Sequence, residues 1–256
     1  MNSTIKKLQL AGFDYSNGQV LLSGPALEIF DQWSDFFRNL APEALNFKPA
    51  VTVNRDVLST SQYFKLFPKQ LTSCRDKSPH GGDMYFSPAA CLHVYNFLRS
   101  NSLAKRNNTY VINAACARQE PQGHDPFRLK FFTMSEIVYI GEENSVRREV
   151  ESAKGKLTGA FKRFGLKGEW HAGEDSFYLG MARGEKILQQ LKELKKEYRW
   201  SVGRREAALA STNLHEDYFG KCFKIKTNSG NNVYSACIAL GLERIVAASL
   251  ITSGKR

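Results

Sequence analysis

The sequence lacks long apolar segments and paired cysteines. No apolar run approaches the roughly 18 residues that cross a bilayer, and no uninterrupted apolar stretch follows the N-terminus ahead of a small-residue cleavage site. We therefore expect a soluble cytoplasmic protein with no membrane partner. The five cysteines are an odd number, scattered through a chain long enough not to need disulfide bonds. They are expected to be reduced, as core thiols or as metal ligands.

Several common functional motifs are also absent. The chain contains no CxxC pair, no HExxH, no GxxxxGK followed by Ser or Thr, and no GxGxxG after a predicted strand. It therefore lacks the usual signatures of zinc fingers, zinc proteases, P-loop proteins and Rossmann domains. It also shows no internal repeat, no low-complexity tract and no sustained heptad pattern.

What the chain does contain is enough apolar material for a core and an excess of positive charge. Hydrophobic residues make up 42% and aromatic residues 12% of the sequence. Lys and Arg total 36 against 25 Asp and Glu, which gives a formal net charge of +11. This charge favours acidic partners such as nucleic acid, nucleotides, anionic membranes or acidic proteins, and it carries no information about the fold.

Apolar spacing predicts the main elements. Helices are expected over residues 26–37, 89–99, 145–164 and 185–200, with a C-terminal helix from about Leu242. Strands are expected over 110–120, 128–141, 218–225 and 232–240, the first two forming a hairpin with a long polar tip. Residues 1–48 are predicted to form a small lead-in segment before a domain over residues 49–256.

The predicted hairpin carries charged residues on one face. Strand alternation places Arg118 beside Glu120, and Arg128, Phe132 and Glu136 on one side of the returning strand. Such a face offers cations for phosphates, a ring for a base, and carboxylates for an amine or a metal. A sheet with one solvated face is the more common use of such alternation. Arg244, at a helix start directly after a strand, is a second phosphate-binding candidate.

Together these segments resemble the catalytic domain of class II aminoacyl-tRNA synthetases. Arg118-Gln119-Glu120 followed by Arg128, Phe132 and Glu136 resembles the second signature motif of that superfamily, and Gly241-Leu242-Glu243-Arg244 resembles the third. The resemblance implies an α+β fold, in which an antiparallel sheet flanked by helices binds a bent ATP with Mg²⁺. The first motif, a dimer-forming helix and strand ending in proline, is assigned to Pro68.

The resemblance also implies roles in ATP binding. Arg118 would contact the α-phosphate, Glu120 the adenine edge, and Phe132 with Leu129 the adenine ring. Arg128 and Arg244 would hold the outer phosphates. Arg118 and Arg244 are therefore the predicted catalytic residues.

Residues 210–220 resemble the strand that frames the amino acid in seryl-type enzymes. This similarity implies an amino acid site formed by Glu136, Ser211, Asn213 and His215. Ala207 stands where these enzymes have a glutamate that contacts ATP.

The segments around Cys91, Glu136 and Cys237 resemble the zinc ligands of atypical seryl-tRNA synthetases and of amino acid:carrier protein ligases. Three protein ligands leave one tetrahedral position open, which in this family takes the α-amino group of the substrate. The alternative is that Cys91 and Cys237 are ordinary buried thiols.

The resemblance covers roughly residues 50–256, and only a short segment precedes it. This short segment favours the carrier protein ligases over tRNA synthetases. Their chemistry implies formation of an aminoacyl-adenylate from an amino acid and ATP, followed by transfer to the phosphopantetheine thiol of an acidic carrier protein. The resemblance also implies a homodimer, and a carrier that docks partly on a helix, here assigned to residues 185–200 with their lysines. Two alternatives are a diverged aminoacyl-tRNA synthetase that charges tRNA, and a catalytically silent regulatory or nucleic-acid-binding paralogue.

Overall fold

The computed structural model describes residues 3–74, 83–99, 108–119, 125–173, 194–203 and 205–253. Its strands are β1 (Phe13–Ser16), β2 (Gln19–Leu22), β3 (Leu45–Phe47), β4 (Thr52–Asn54), β5 (Ser73–Cys74), β6 (Met84–Phe86), β7 (Asn108–Ala117), β8 (Phe131–Gly141), β9 (Gly168–Ala172), β10 (Lys195–Val202), β11 (Arg205–Glu216) and β12 (Tyr234–Gly241). Its helices are α1 (Ser3–Leu10), α2 (Gly24–Asn39), α3 (Arg55–Thr60), α4 (Tyr63–Leu66), α5 (Cys91–Arg99), α6 (Glu143–Arg163), α7 (Tyr218–Phe223) and α8 (Leu242–Ser253), with a 3-10 turn at Pro68–Gln70.

Seven of these strands form one large sheet in the order β3-β7-β8-β12-β11-β10-β9. Neighbouring strands are antiparallel, except that β3 runs parallel to β7 at one edge. Strands β1 and β2 form a separate hairpin, and β4, β6 and β5 form a small three-stranded sheet. Strand β12, which is rich in small residues, lies in the middle of the large sheet and is almost entirely buried.

Alternation along the central strands divides the core into two clusters, one on each face of the sheet. On β8, Ile137 and Tyr139 belong to the first cluster, and Val138 and Ile140 belong to the second. Helices α2, α6 and α8 contribute apolar side chains to the first cluster. Helices α3, α5 and α7 contribute to the second. The sheet is therefore flanked by helices on both faces.

The described part of residues 1–48 packs on this same core. Leu8, Phe13 and Phe37 are buried members of the first cluster. Trp33 of α2 contacts Phe161 and the neighbouring Phe164 at the end of α6, with ring centroids 5.5 and 4.9 Å away. The boundary between residues 48 and 49 stays a prediction, and the packing shows that the segment before it shares apolar contacts with the large sheet.

Most predicted elements are confirmed. The helices expected over 26–37, 89–99 and 145–164 correspond to α2, α5 and α6, and the predicted hairpin corresponds to β7 and β8. The last strand and the C-terminal helix are β12 and α8. Among the described residues, no helix is both long enough and apolar enough to cross a membrane.

Two predicted elements are wrong. Residues 218–225 were predicted as a strand, but α7 places Phe219 and Phe223 one helical turn apart in the second core cluster. The helix predicted over 185–200 is contradicted at its end, because residues from 195 form β10, paired with β9 and β11. Tyr198 and Trp200 alternate with the less buried Arg199, which is a strand pattern. Residues 185–193 of that helix lie outside the described residues.

The proline assigned to the first signature motif does not end a strand. Pro68 begins the 3-10 turn that follows the short helix α4. Helix α2, strand β3 and Pro49 instead follow one another in the order helix, strand and proline. The assignment to Pro68 is therefore wrong.

We expect Phe37→Ala to lower the free energy of unfolding of the whole domain by about 3–5 kcal/mol, because it leaves a cavity in the first core cluster. Leu21→Ala is the control, since Leu21 is 69% exposed and such changes usually cost no more than about 0.5 kcal/mol. Denaturant unfolding followed by circular dichroism measures both. A main transition unchanged by Phe37→Ala would show that the N-terminal segment folds apart from the sheet.

Candidate active site

A cavity lies over β8, β12, β11 and β10. Every predicted site residue that the structure describes lines it: Cys91, Arg118, Arg128, Leu129, Phe132, Glu136, Ser211, Asn213, His215, Cys237 and Arg244. Glu120 lies outside the described residues. The sequence prediction therefore brought together residues that are up to 153 positions apart along the chain, from Cys91 to Arg244. Their individual roles stay predictions.

Strand register builds the floor of the cavity. Glu136 on β8 lies opposite Ala239 on β12, which lies opposite Ser211 on β11. In the adjacent row, Cys237 lies opposite Asn213. Neighbouring strands are about 4.8 Å apart, so Cys237 and Asn213 lie one strand apart, and Glu136 and Ser211 lie two strands apart. The small side chain of Ala239, and Gly241 farther along β12, leave room above the centre of the floor.

Backbone carbonyl groups orient two of the three motif arginines. The Arg118 guanidinium donates from Nε to the carbonyl oxygen of Pro88 at 2.8 Å and lies 5.5 Å from the ring centroid of Phe132. Arg244 donates from Nε to the Phe127 carbonyl at 2.9 Å and from Nη1 to the Ala208 carbonyl at 2.7 Å. A carbonyl oxygen carries no net charge, so these partners position the guanidinium groups without neutralising them.

Glu243, the residue before Arg244, ties the start of α8 to β8. Its two carboxylate oxygens accept the backbone N–H of Thr133 at 2.9 and 2.8 Å. Burial raises the pKa of Glu243, and the Thr133 N–H opposes that shift. This contact fixes where α8 begins, and therefore where Arg244 enters the cavity.

Glu136 and Cys91 meet at the N-terminus of α5. The Glu136 carboxylate accepts hydrogen bonds from the backbone N–H groups of Ala90 and Cys91 and from the Cys91 thiol. Burial raises the pKa of Glu136 to about 7, although the charge of Arg118 opposes the shift. Burial also raises the pKa of the Cys91 thiol, and the negative charge of Glu136 raises it further. Near pH 7 the Glu136 carboxyl is therefore close to the midpoint of its titration, and the Cys91 thiol is protonated.

The donor set of Cys91, Glu136 and Cys237 suits zinc chemically, since two thiols and a carboxylate are common zinc ligands. The Oε2 atom of Glu136 is buried without a hydrogen-bond partner. Within the described ranges, however, no three His, Cys, Asp or Glu side chains are grouped closely enough to hold a metal ion as they stand. The residues fit zinc by type and by burial, and a bound ion would require their side chains to converge.

His215 is buried at the end of the same cavity. Burial lowers its pKa to about 3, so the ring is neutral near pH 7. Its Nδ1 atom lies 3.0 Å from the Tyr95 hydroxyl, and its Nε2 atom lies 3.7 Å from the sulfur of Cys237. The Asn213 amide also donates to that sulfur, at 3.4 Å. Two of the predicted amino acid contacts therefore touch a predicted metal ligand.

The sequence prediction missed an ion pair in the cavity wall. Lys195 Nζ lies 3.1 Å from Glu197 Oε1, and their side chains are only 15% and 18% exposed. Both residues line the cavity from β10. Their i, i+2 spacing would place both side chains on one face of a strand. Because a helix was predicted for these residues, the pair was not recognised. Lys195 had been assigned to a carrier-docking helix, and the structure instead turns it toward the cavity.

Comparison with known proteins supports the resemblance on which these roles depend. No protein-family model matches the chain. Two curated proteins of Bradyrhizobium diazoefficiens are similar to it: amino acid–[acyl-carrier-protein] ligase 1, 27% identical over 242 residues, and ligase 2, 27% identical over 245 residues. Each alignment covers 85% of this chain, and 73% and 72% of the two relatives.

Solved structures show the same fold. The M. kandleri SerRS, in a complex with A. aeolicus tRNASec, superposes with a TM-score of 0.83 at 16% identity and covers 99% of this chain. Prolyl-tRNA synthetase of Giardia lamblia, in complex with prolyl-adenylate, gives 0.76 at 11% identity and covers 96%. The chain spans only 57% and 50% of those two proteins. The predicted α+β fold of class II aminoacyl-tRNA synthetases and the resemblance to the carrier protein ligases are thus confirmed.

Proposed function

We propose that this chain activates an amino acid with ATP and passes it to a carrier protein. The carboxylate of the amino acid attacks the α-phosphate of ATP, forming an aminoacyl-adenylate and releasing pyrophosphate. The phosphopantetheine thiol of the carrier then attacks the acyl carbon, forming a thioester and releasing AMP. The observation that carries the proposal is the single cavity that collects the phosphate-binding, ring-stacking and amine-binding candidates on one face of the sheet.

The arginines and Phe132 form the nucleotide part of the site. Arg118 contacts the α-phosphate, and Arg128 and Arg244 hold the outer phosphates together with Mg²⁺. Phe132, with Leu129 beside it, stacks on the adenine, and Glu120 stays a predicted contact to the adenine edge. Because carbonyl oxygens already orient Arg118 and Arg244, little reorganisation is needed when charge develops on the attacked phosphorus.

The far end of the cavity receives the amino acid. Glu136, Ser211, Asn213 and His215 line the wall there. Cys91, Glu136 and Cys237 would hold a zinc ion, which would supply a Lewis-acidic position for the unprotonated α-amino group. The Cys91 thiol now donates to Glu136, so binding the ion would displace that proton. The site would thereby select an amino acid over a carboxylic acid that lacks the α-amino group, without any contact to the substrate side chain.

An acidic, phosphopantetheinylated carrier protein is the proposed acceptor. The names of the two relatives support it, and the net charge of +11 favours an acidic partner. The docking surface is proposed on residues 185–193, which lie outside the described residues. Charging of tRNA is the second candidate, because the structural neighbours are tRNA synthetases.

We further propose that two chains associate across α2 and β3, the helix and strand that precede Pro49. Strand β3 is the edge of the large sheet and pairs only with β7 among the described strands. Leu45 on this edge is 50% exposed. An apolar edge strand of this kind is usually covered by another chain or protected by charge.

The catalytic proposal predicts amino-acid-dependent exchange of pyrophosphate into ATP. Arg244→Ala should lower the exchange rate about 10- to 150-fold, since it removes a charge-assisted phosphate contact worth about 1.5–3 kcal/mol. Arg148→Ala, on the exposed face of α6, should leave the rate unchanged. The charged product is then offered to holo carrier protein and to bulk tRNA. Labelling of the carrier supports the proposal, labelling of tRNA supports the second candidate, and no exchange with any amino acid would indicate a silent paralogue.

The zinc proposal predicts about one equivalent of co-purified zinc per chain. Cys91→Ala and Cys237→Ala should each lose it, as measured by atomic emission on the purified protein. Cys116→Ala is the matched control, because Cys116 is equally buried but does not line the cavity. Unchanged zinc in both cavity variants would refute this metal site and leave the adenylation test unaffected.

The dimer proposal predicts a species of twice 28.9 kDa in sedimentation velocity. Leu45→Glu should shift it toward monomer, because the charge would be buried against the second chain. Leu21→Glu, on the exposed β1–β2 hairpin, should have no effect. A monomeric wild-type protein at micromolar concentration would overturn the proposal.

A further inference from the structure

Three elements each bring two polar residues to the end of the cavity where the zinc site is proposed. Helix α5 supplies two residues four positions apart, and β11 and β12 each supply two residues two positions apart, so each pair shares one face of its element. The pairs are Cys91 and Tyr95, Asn213 and His215, and Ser235 and Cys237. Cys91, Cys237, Asn213 and His215 belong to the predicted site, whereas Tyr95 and Ser235 have no predicted role.

The His215 ring is held on both of its nitrogen atoms. Nδ1 lies 3.0 Å from the Tyr95 hydroxyl and 3.4 Å from the Ser235 hydroxyl. Nε2 lies 3.7 Å from the Cys237 sulfur. Phe219 packs edge-on against the ring with centroids 5.0 Å apart. All five side chains are buried, so the ring has little freedom to turn away from these contacts.

The partners decide which nitrogen carries the proton. A neutral imidazole donates from one nitrogen and accepts at the other. A tyrosine hydroxyl is a good donor, and the Tyr95 hydroxyl is itself a hydrogen-bond partner of Ser235. The Cys237 sulfur already accepts from the Asn213 amide, and a thiol is only a weak donor. The consistent arrangement has Tyr95 donating to Nδ1 and Nε2–H donating to the sulfur.

We propose that His215 is a positioning residue, whose Nε2–H, fixed by Tyr95, holds the Cys237 sulfur in the cavity together with the Asn213 amide. This replaces the expectation that His215 contacts the amino acid directly. The sulfur of a strand cysteine can occupy three staggered positions, and two N–H donors select one of them. Tyr95 lies one helical turn after Cys91, so the same chain of contacts fixes α5, and with it Cys91, relative to Cys237. The effect of these hydrogen bonds on a zinc site rests on the proposed function, whereas the arrangement of the hydrogen bonds themselves does not.

The experiment uses four variants of the full chain. Tyr95→Phe removes the hydroxyl that fixes the ring. Tyr198→Phe is its control, because Tyr198 is also fully buried and donates its hydroxyl to one acceptor, the Leu166 carbonyl, outside the cavity. His215→Gln keeps an N–H near the Nε2 position, and His215→Asn keeps a polar group only near the Nδ1 position. Nitrogen NMR of the histidine rings in zinc-free protein reports the tautomer, and competition with a chelator measures affinity for Zn²⁺.

Wild-type protein and Tyr198→Phe should show His215 protonated on Nε2, and Tyr95→Phe should show a mixture of tautomers. Zn²⁺ affinity should fall about 10- to 100-fold in Tyr95→Phe and His215→Asn, the range known for partners that orient a metal ligand, and by clearly less in His215→Gln. Protonation on Nδ1 in the wild type would overturn the inference, as would equal loss in the Gln and Asn variants. If wild-type protein binds no Zn²⁺, the metal part of the proposed function fails, and the ring spectra still decide the inference.

Discussion

The alternation of β8 and β12 between the two faces of the sheet is the constraint on which the rest of the structure depends. Ile137 and Ile238 face one core, while Glu136 and Cys237 face the cavity. A slip of one residue in either strand would turn the cavity-facing side chains of that strand into the opposite apolar cluster. Burial of the two strands on both faces therefore fixes the register, and the register fixes the distances between the chemical groups. Stability and site geometry have the same physical origin here.

Burial also sets the chemical state of the groups in the cavity. Glu136 and Cys91 lie at the N-terminus of α5, where backbone N–H groups and a shared hydrogen bond offset part of the cost of removing a carboxylate from water. His215 remains neutral for the same reason of burial. Arg118 and Arg244 differ, because uncharged carbonyl oxygens orient their guanidinium groups. The cavity therefore combines groups held close to neutrality at one end with cations at the other.

The sequence grouped the residues that line the cavity better than it predicted some of the elements that carry them. Arg118, Phe132, Glu136 and Arg244 were identified because motif order and spacing are local properties, and hairpin alternation follows from a period of two. Lys195 and Glu197 were missed because leucines and lysines before them favoured a helix, whereas pairing with β9 and β11 determines the strand. The hydrogen bonds of His215 could not be predicted at all, since Tyr95 is 120 residues away along the chain. Contacts of that kind exist only once the fold is formed.

The position of β12 has a consequence for the order of folding. In the described sheet it is the last strand in sequence, yet it lies between β8 and β11. The block β3-β7-β8 and the block β11-β10-β9 are each made of strands synthesised earlier, and neither can pair with the other without it. The native edges of β8 and β11 therefore find their partner only when residues 234–241 are available. The strand that closes the sheet also carries Cys237, so the complete cavity requires the complete sheet.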